Sequence, residues 1–459
     1  MRDFIKNFIF LIITIFNLIL FFKKNINYNL NYKCNSINNF VKNLMNKKNN
    51  FESNSKIKIG INCHSLAAGG IARNTELLIN SISKIKIFKI FLFIHKTNNT
   101  EYKISKDIKK IKIPYNPKIL KKYLLRKKIN IFIYQLYSMH MINMLKSLKN
   151  LKVIFYIHSC FLYWIYKPYY NIFRFNYNEY THSDYVISII PFENDYLFKK
   201  WGINSIYMNN FLSFNYDRII QSDLSSKKIL LIGRADDKNK RFEIGILSMK
   251  YIIKEISQCQ LLIISKNNSD VENLIKSLKL EKNIKITGYT NIPEIYFKNS
   301  SLHIFPSISE AFPMVLSEAK LYGIPSILLG IDYVSAAKEG TIIIYDDKPE
   351  IIGKFAISIL NNDEYRKKMG KAARRSMKRF NNKILIKKWV KLFLAINKGK
   401  KCFLEFRNNY KSINKNESIN ILNSQIKLLK KRLPKFQNIN INDILNFSFI
   451  KNLYISNNY

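Results

Sequence analysis

This chain of 459 residues is poor in acid: Asp and Glu number 31 against 76 Lys and Arg, a formal net charge of +45. Such an excess would attract nucleic acid, an anionic membrane surface or a phosphate-bearing ligand. Lys, Asn and Ile nevertheless recur along the whole length, as in FVKNLMNKKNN and LKLEKNIKI, so compositional drift accounts for much of the charge. Cysteine is scarce too. Cys34, Cys63, Cys160, Cys259 and Cys402 lie far apart with no CxxC pair, which argues against a disulfide framework and for a reducing compartment. The chain also lacks HExxH, a histidine cluster and any Asp-x-Asp pair, so no protein-ligated metal is expected. Disorder is excluded by a hydrophobic fraction of 47%.

What is present divides the chain into five parts. Residues 1–24 hold an apolar run from Phe8 to Phe22, extendable back to Phe4, with Arg2 and Lys6 before it and Lys23 and Lys24 after. Its length approaches the roughly 20 residues of a bilayer span, and no small-x-small cleavage site follows. An uncleaved membrane anchor is the leading expectation, with an interfacial helix or cleaved signal as alternatives. Residues 25–54 form an Asn- and Lys-rich polar stem. Strand-like runs then follow at Lys56–Asn62, Lys89–His95, Ile129–Gln135, Leu151–His158 and Asp184–Ile189, within a first unit spanning 55–215. A second series begins at Lys228 and continues through Gln260–Ser265, Asn283–Gly288, Leu302–Ser307, Pro325–Gly330 and Thr341–Asp347, within 216–397. Amphipathic helices alternate with these strands, which predicts two parallel α/β sheets facing across a cleft. Residues 398–459 are a basic tail.

Ligands of open α/β sheets gather at the carboxyl ends of the strands. One unit there carries the densest chemistry, LHIFPSISEAFPMVLSEAKLYGIPSILLG. It predicts a strand at Leu302–Phe305, a loop from Ser307, and Pro313 in the first turn of a helix over Met314–Tyr322. Gly323 would end that helix and Pro325 prevent its continuation. The free N–H groups at the helix start, with the helix dipole, would favour an anion or a ring of hydroxyls. Glu310 and Glu318 flank that start. Were both helical they would lie roughly 12 Å apart, too far for a hydrolase pair, so they suit different parts of a long ligand.

These residues resemble a known family. PSISEAFPMVLSEAKLYGIPSI is similar to the E-x7-E region of the retaining GT-B glycosyltransferases of family 4, the glycosyl transferases group 1. LLIGRADDKNKRFEIGI resembles the family's strand and Gly-Arg-to-Lys loop, and NIKITGYTNIPEIYFKNSSLHIFPS the stretch joining the two. The likeness covers about residues 228–347, more loosely to 397. In the first half INCHSLAAGGIARNTELL resembles the family's glycine loop, FYIHS its histidine-bearing strand end, and DYVISIIPFENDYLFKKWGINSIYMNN the approach to the junction.

The resemblance implies a GT-B fold of two Rossmann-like domains and a metal-independent, retaining transfer of a hexose from a nucleotide-diphosphate sugar to a glycan or lipid-linked acceptor. It implies that Arg234 and Lys240 hold the donor diphosphate, where cations offset charge building on the leaving group. Lys240 stands one position further from the Arg than the commonest spacing, and Lys238 or Arg241 could take its role. By the same resemblance Glu318 binds the ribose and Glu310 the transferred sugar. The amides of Phe312, Met314 and Val315 would contact sugar or phosphate, and His158 the sugar near its reacting carbon. Gly69 and Gly70 would let the backbone approach donor or acceptor closely. Pro313, where many members have Gly, cannot donate an N–H. No cofactor beyond the donor substrate and no specific nucleic-acid partner is expected; the membrane partner would be reached through the N-terminal segment, with the catalytic part in the cytosol. Competing readings are a phosphorylase or epimerase on the same core, and a catalytically degenerate GT-B protein acting as a basic membrane- or nucleic-acid-binding module.

Overall fold

The structure is a computed structural model that describes residues 39–43 and 56–408, except 68, 99–100, 137, 161–178, 289, 291–292 and 332, together with 427. The expected anchor, most of the stem and most of the basic tail lie outside the described residues.

The first sheet has seven strands: β1 (Ile57–Cys63), β2 (Phe88–Ile94), β3 (Lys109–Lys112), β4 (Ile131–Tyr134), β5 (Lys152–Ile157), β6 (Tyr185–Ser188) and β7 (Ser205–Tyr207). Their spatial order is β3-β2-β1-β4-β5-β6-β7, and all pairs are parallel. Among the described residues, its helices include α1 (Gly70–Ser83), α2 (Pro117–Lys127), α3 (Met139–Lys146) and α4 (Pro191–Trp201). The central strands read as unbroken apolar runs because both faces are covered; every residue of β4 and β6 is buried. The edge strands β3 (KKIK) and β7 (SIY) are short and polar, and the hydropathy pattern does not predict them.

The second sheet has six parallel strands: β8 (Lys228–Ile232), β9 (Gln260–Ile264), β10 (Ile284–Ile286), β11 (Leu302–Phe305), β12 (Ser326–Leu329) and β13 (Thr341–Ile344), in the order β10-β9-β8-β11-β12-β13. Strand order reverses between β8 and β11, so the loops after these two strands meet at the switch point. Its helices are α5 (Phe242–Glu255), α6 (Ser269–Ser277), α7 (Glu294–Lys298), α8 (Met314–Leu321), α9 (Pro349–Asn361) and α10 (Asp363–Ser376).

Among the described residues, α11 (Asn382–Lys398) and α12 (Lys400–Asn408) return to the first unit. Trp389 packs edge-on to Tyr156 of β5 at 5.5 Å, Phe393 meets Phe88 of β2 at 5.7 Å, and Phe403 meets Tyr185 of β6 at 4.6 Å. These two helices, which straddle the expected end of the second unit at 397, thus pack against strands of the first sheet. Hydropathy marks α11 as amphipathic but cannot say which sheet its apolar face will cover. One apolar core consequently runs from the first sheet, through α11, to Phe305, Phe312 and Leu316 beneath the second unit's site helix. Arg374 reinforces the junction, donating to the carbonyls of Leu321 (2.7 Å), Tyr216 (3.1 Å) and Ile219 (3.0 Å).

Candidate donor site

The site is built from the loops after β8 and β11. Asn239 lies in a short 3-10 turn, Lys238–Lys240, after β8. Its amide donates to the Ser309 carbonyl (2.8 Å) and accepts from the Ser309 N–H (3.1 Å), while its own carbonyl accepts from Ile308 (2.9 Å). The two loops are thereby laced together across 70 residues of sequence. That lacing brings Lys240 onto Glu310, with Nζ 2.5 Å from Oε1. Tyr333, in the loop after β12, accepts the Glu310 N–H at 3.0 Å and fixes the backbone beneath that carboxylate.

The three cations that the resemblance offers for the diphosphate differ in their surroundings. Lys240 is half-buried and faces Glu310. Arg241, in the left-handed region at φ 49°, is engaged by Asp347 and Glu243. Lys238 is exposed. Of the three, Lys240 alone thus joins the E-x7-E loop. Arg234 is 75% exposed on its side chain and contacts Asp237 at 2.7 Å, within the same loop as Lys240.

α8 begins at Met314, as expected, and ends at Leu321, one residue short of the expected Tyr322. Pro313 is its N-cap, with φ −70° and ψ 110°, and no side chain caps the helix. The first intrahelical bond runs from Ser317 to the Pro313 carbonyl, which leaves the N–H groups of Met314 and Val315 without a partner inside the helix. Phe312 is buried against Phe380, so its ring belongs to the core and only its amide is left to serve a ligand. Gly323, at φ +74°, follows the helix in the left-handed conformation that glycine adopts without strain.

Glu318 faces the first unit. Burial pushes its carboxyl above the ordinary range, against the nearby Ser213 hydroxyl and the Arg73 charge, with Glu294 adding to the rise. Arg73 stands in the first turns of α1, where it pairs with Glu76 at 3.0 Å and donates to the Ser213 carbonyl at 3.2 Å. Its position three residues after Gly70 is the one sequence signal it offers. Gly69 opens α1 at φ +146°, and a Cβ at Gly69 or Gly70 would meet nothing within 4 Å, so this helix start is unobstructed.

His158 follows β5 and is held by Gln135, at the end of β4, through an Nε2–Oε1 contact of 2.6 Å. Thr75 of α1 also meets the Gln135 amide, at 3.0 Å from Nε2. Burial holds the imidazole far below its usual range, at about 3, so the ring is neutral at physiological pH. α1 therefore carries Thr75 towards the histidine and Arg73 towards Glu318, and it links the two sides of the cleft. Arg73, Gln135, Asn239 and Tyr333 are the positioning residues that motif reading missed. The other histidines stay outside this constellation; His303, for example, is buried within β11 against Ser326.

Two parallel Rossmann-like sheets with a helix start and basic loop at the switch point define a GT-B protein. Residues 214–376 match the family described as glycosyl transferases group 1. An uncharacterized glycosyltransferase of Haemophilus influenzae is 24% identical over 172 residues, 36% of this chain and 48% of the relative. The chain thus spans about half of that relative's length. Among solved structures, sucrose-phosphate synthase of Thermosynechococcus elongatus aligns over 74% of this chain and 99% of its own, at 15% identity and a TM-score of 0.63. HepE of Anabaena, crystallised with UDP and glucose, aligns over 74% and 100% at 12% identity and a TM-score of 0.57. Both likenesses concern the fold.

Proposed function

We propose that the protein transfers a hexose from a UDP-sugar to a hydroxyl of a glycan or lipid-linked acceptor, with retention at the anomeric carbon. The observation that carries this reading is the Lys240–Glu310 pair, set beside the uncapped start of α8 within the group 1 domain. The UDP and glucose held by HepE support a UDP-hexose as donor. Arg234 and Lys240 would neutralise charge growing on the departing diphosphate, as preorganised cations do at small cost in reorganisation. The N–H groups of Met314 and Val315 would add to this through the helix dipole. Glu318 would accept from the ribose hydroxyls and Glu310 from the sugar. The acceptor attacks the face from which the phosphate leaves, and the departing phosphate oxygen takes the acceptor's proton. His158, neutral and half-buried, contributes a hydrogen bond and no charge.

We further propose that the apolar run Phe8–Phe22 anchors the chain to a membrane, with the catalytic part in the cytosol. Among the described residues no helix is long and apolar enough to cross a bilayer. Support comes from where the chain enters the fold. Lys58 and Lys89 are register partners and Lys109 pairs with Phe91, so with Lys56 these lysines crowd one face at the start of three adjacent strands. The charge of Lys109, then partial burial and the charges of Lys58, Lys56 and Lys127, hold the Lys89 ammonium below its usual range. An anionic lipid surface would relieve that repulsion.

Thermal unfolding with UDP-, GDP- and ADP-sugars tests the donor reading. A UDP-sugar should raise the melting temperature of the wild type, while Glu318→Ala and Arg234→Ala should weaken UDP binding and abolish transfer. Unchanged affinity and transfer in both variants would refute the site.

A further inference from the structure

The polar network behind His158 fixes which ring nitrogen carries the proton. Gln135 is almost wholly buried at the end of β4. Its amide nitrogen lies 2.8 Å from the main-chain carbonyl of Asn62, and a carbonyl can only accept. The amide is thus not free to turn over, and its oxygen must be the atom facing His158 Nε2 at 2.6 Å. An amide oxygen also only accepts. The imidazole must therefore present Nε2–H, which leaves Nδ1 as its lone-pair nitrogen. Two further bonds brace the arrangement: the Gln135 main-chain N–H donates to the Asn62 side chain at 3.0 Å, and the amide nitrogen meets the Thr75 hydroxyl at 3.0 Å.

We infer that Gln135 is a positioning residue that locks His158 in its Nε2–H tautomer, making Nδ1 a hydrogen-bond acceptor selective for a donor-sugar hydroxyl. This rests on the proposed donor site. The selectivity is chemical: a neutral nitrogen bearing a lone pair accepts from a hydroxyl and repels an ionised phosphate oxygen. A histidine with the opposite tautomer would offer a donor there and lose that discrimination. The groups that meet the ring, Tyr156 on β5 and Gln135 just after β4, and Thr75 on α1 that meets Gln135, are all uncharged, so the lock is one of hydrogen-bond polarity. Its action through His158 separates Gln135 from the groups that touch the donor.

The direct test is long-range proton–nitrogen correlation on the full chain labelled with 15N-histidine, with His158→Ala to assign the resonance. The expected pattern is an Nε2–H tautomer at neutral pH; an Nδ1–H tautomer or a cation would overturn the inference without any variant being needed. A kinetic test follows UDP-glucose hydrolysis. Gln135→Met should lower kcat about ten- to a hundredfold, as small misplacements at reacting centres do, while the Kd for UDP, held by the second unit, stays unchanged. Gln135→Glu retains an acceptor at Nε2 and should keep the tautomer. It should also introduce an acid limb into the pH–rate profile near neutrality, because a carboxylate favours the imidazolium. Wild-type turnover in Gln135→Met, or no new limb in Gln135→Glu, would count against the lock. Failure of the wild type to bind UDP would instead refute the donor site and leave the tautomer spectrum standing.

Discussion

Asn239 offers the sharpest way to ask whether the two halves of the donor site work as one. Its side chain makes two hydrogen bonds to Ser309, at 2.8 and 3.1 Å, and Ser309 is buried. Asn239→Ala removes both bonds, yet it preserves the main-chain bond from Ile308 to the Asn239 carbonyl at 2.9 Å. The substitution therefore isolates the lacing by the amide group. Each hydrogen bond contributes about 0.5–1.5 kcal/mol net, so the variant should lose about 1–3 kcal/mol of stability. At about 2–4 °C per kcal/mol for a unit of this size, the melting temperature should fall by several degrees. The larger effect should be on the ligand. Lys240 reaches Glu310 only because the loops are held together, so release should weaken UDP binding about tenfold, or about 1.4 kcal/mol. Isothermal titration with UDP and a thermal melt on the same preparation measure both. Wild-type values in both would refute the idea that this lacing organises the site. A lowered melting temperature with full UDP affinity would show that the two loops hold their positions independently.

Two further predictions concern the first unit. Glu179 is fully buried, and burial raises its carboxyl to about 8 against the lowering effect of the Ser138 N–H. The folded state thus binds a proton that the unfolded state releases above about pH 4.5, so its stabilising contribution is complete below that value and is lost as pH rises towards 8. At about 1.4 kcal/mol per pH unit the full loss approaches 5 kcal/mol; Glu179→Gln should flatten denaturant-measured stability between pH 5 and 8, and an unchanged slope would refute the assignment. The lysines at the strand starts are tested by co-sedimentation of the full chain with vesicles containing phosphatidylserine or only phosphatidylcholine. Replacing Lys58, Lys89 and Lys109 together by Gln should cost binding to the anionic vesicles alone, with about 1 kcal/mol per lysine at stake; equal binding by variant and wild type would remove the membrane role of this face.

The strands of both sheets, except the short edges, were legible because a strand buried on both faces must be continuously apolar, as IFIY and SILL are. The unit from Leu302 to Gly330 was equally legible, since Pro313, Gly323 and Pro325 each carry a local conformational meaning. The helix starts at Met314 as expected, but Pro313 is its N-cap and not a first-turn residue, and the helix ends at Leu321 and not at Tyr322. The edge strand KKIK escaped because three lysines along one short edge look like a solvated loop.

The sequence by itself determined two parallel α/β units and the segment that holds Glu310 and Glu318, since both follow from hydrophobic period and from residues with restricted backbones. Only the tertiary structure decided that Lys240, not Lys238 or Arg241, meets Glu310. It alone placed Glu318 towards Arg73 and set Gln135 behind His158. The physical reason is common to these cases. A polar side chain's role depends on partners that chain topology brings near, often from dozens of residues away, and nothing in its immediate neighbours encodes which partner that will be.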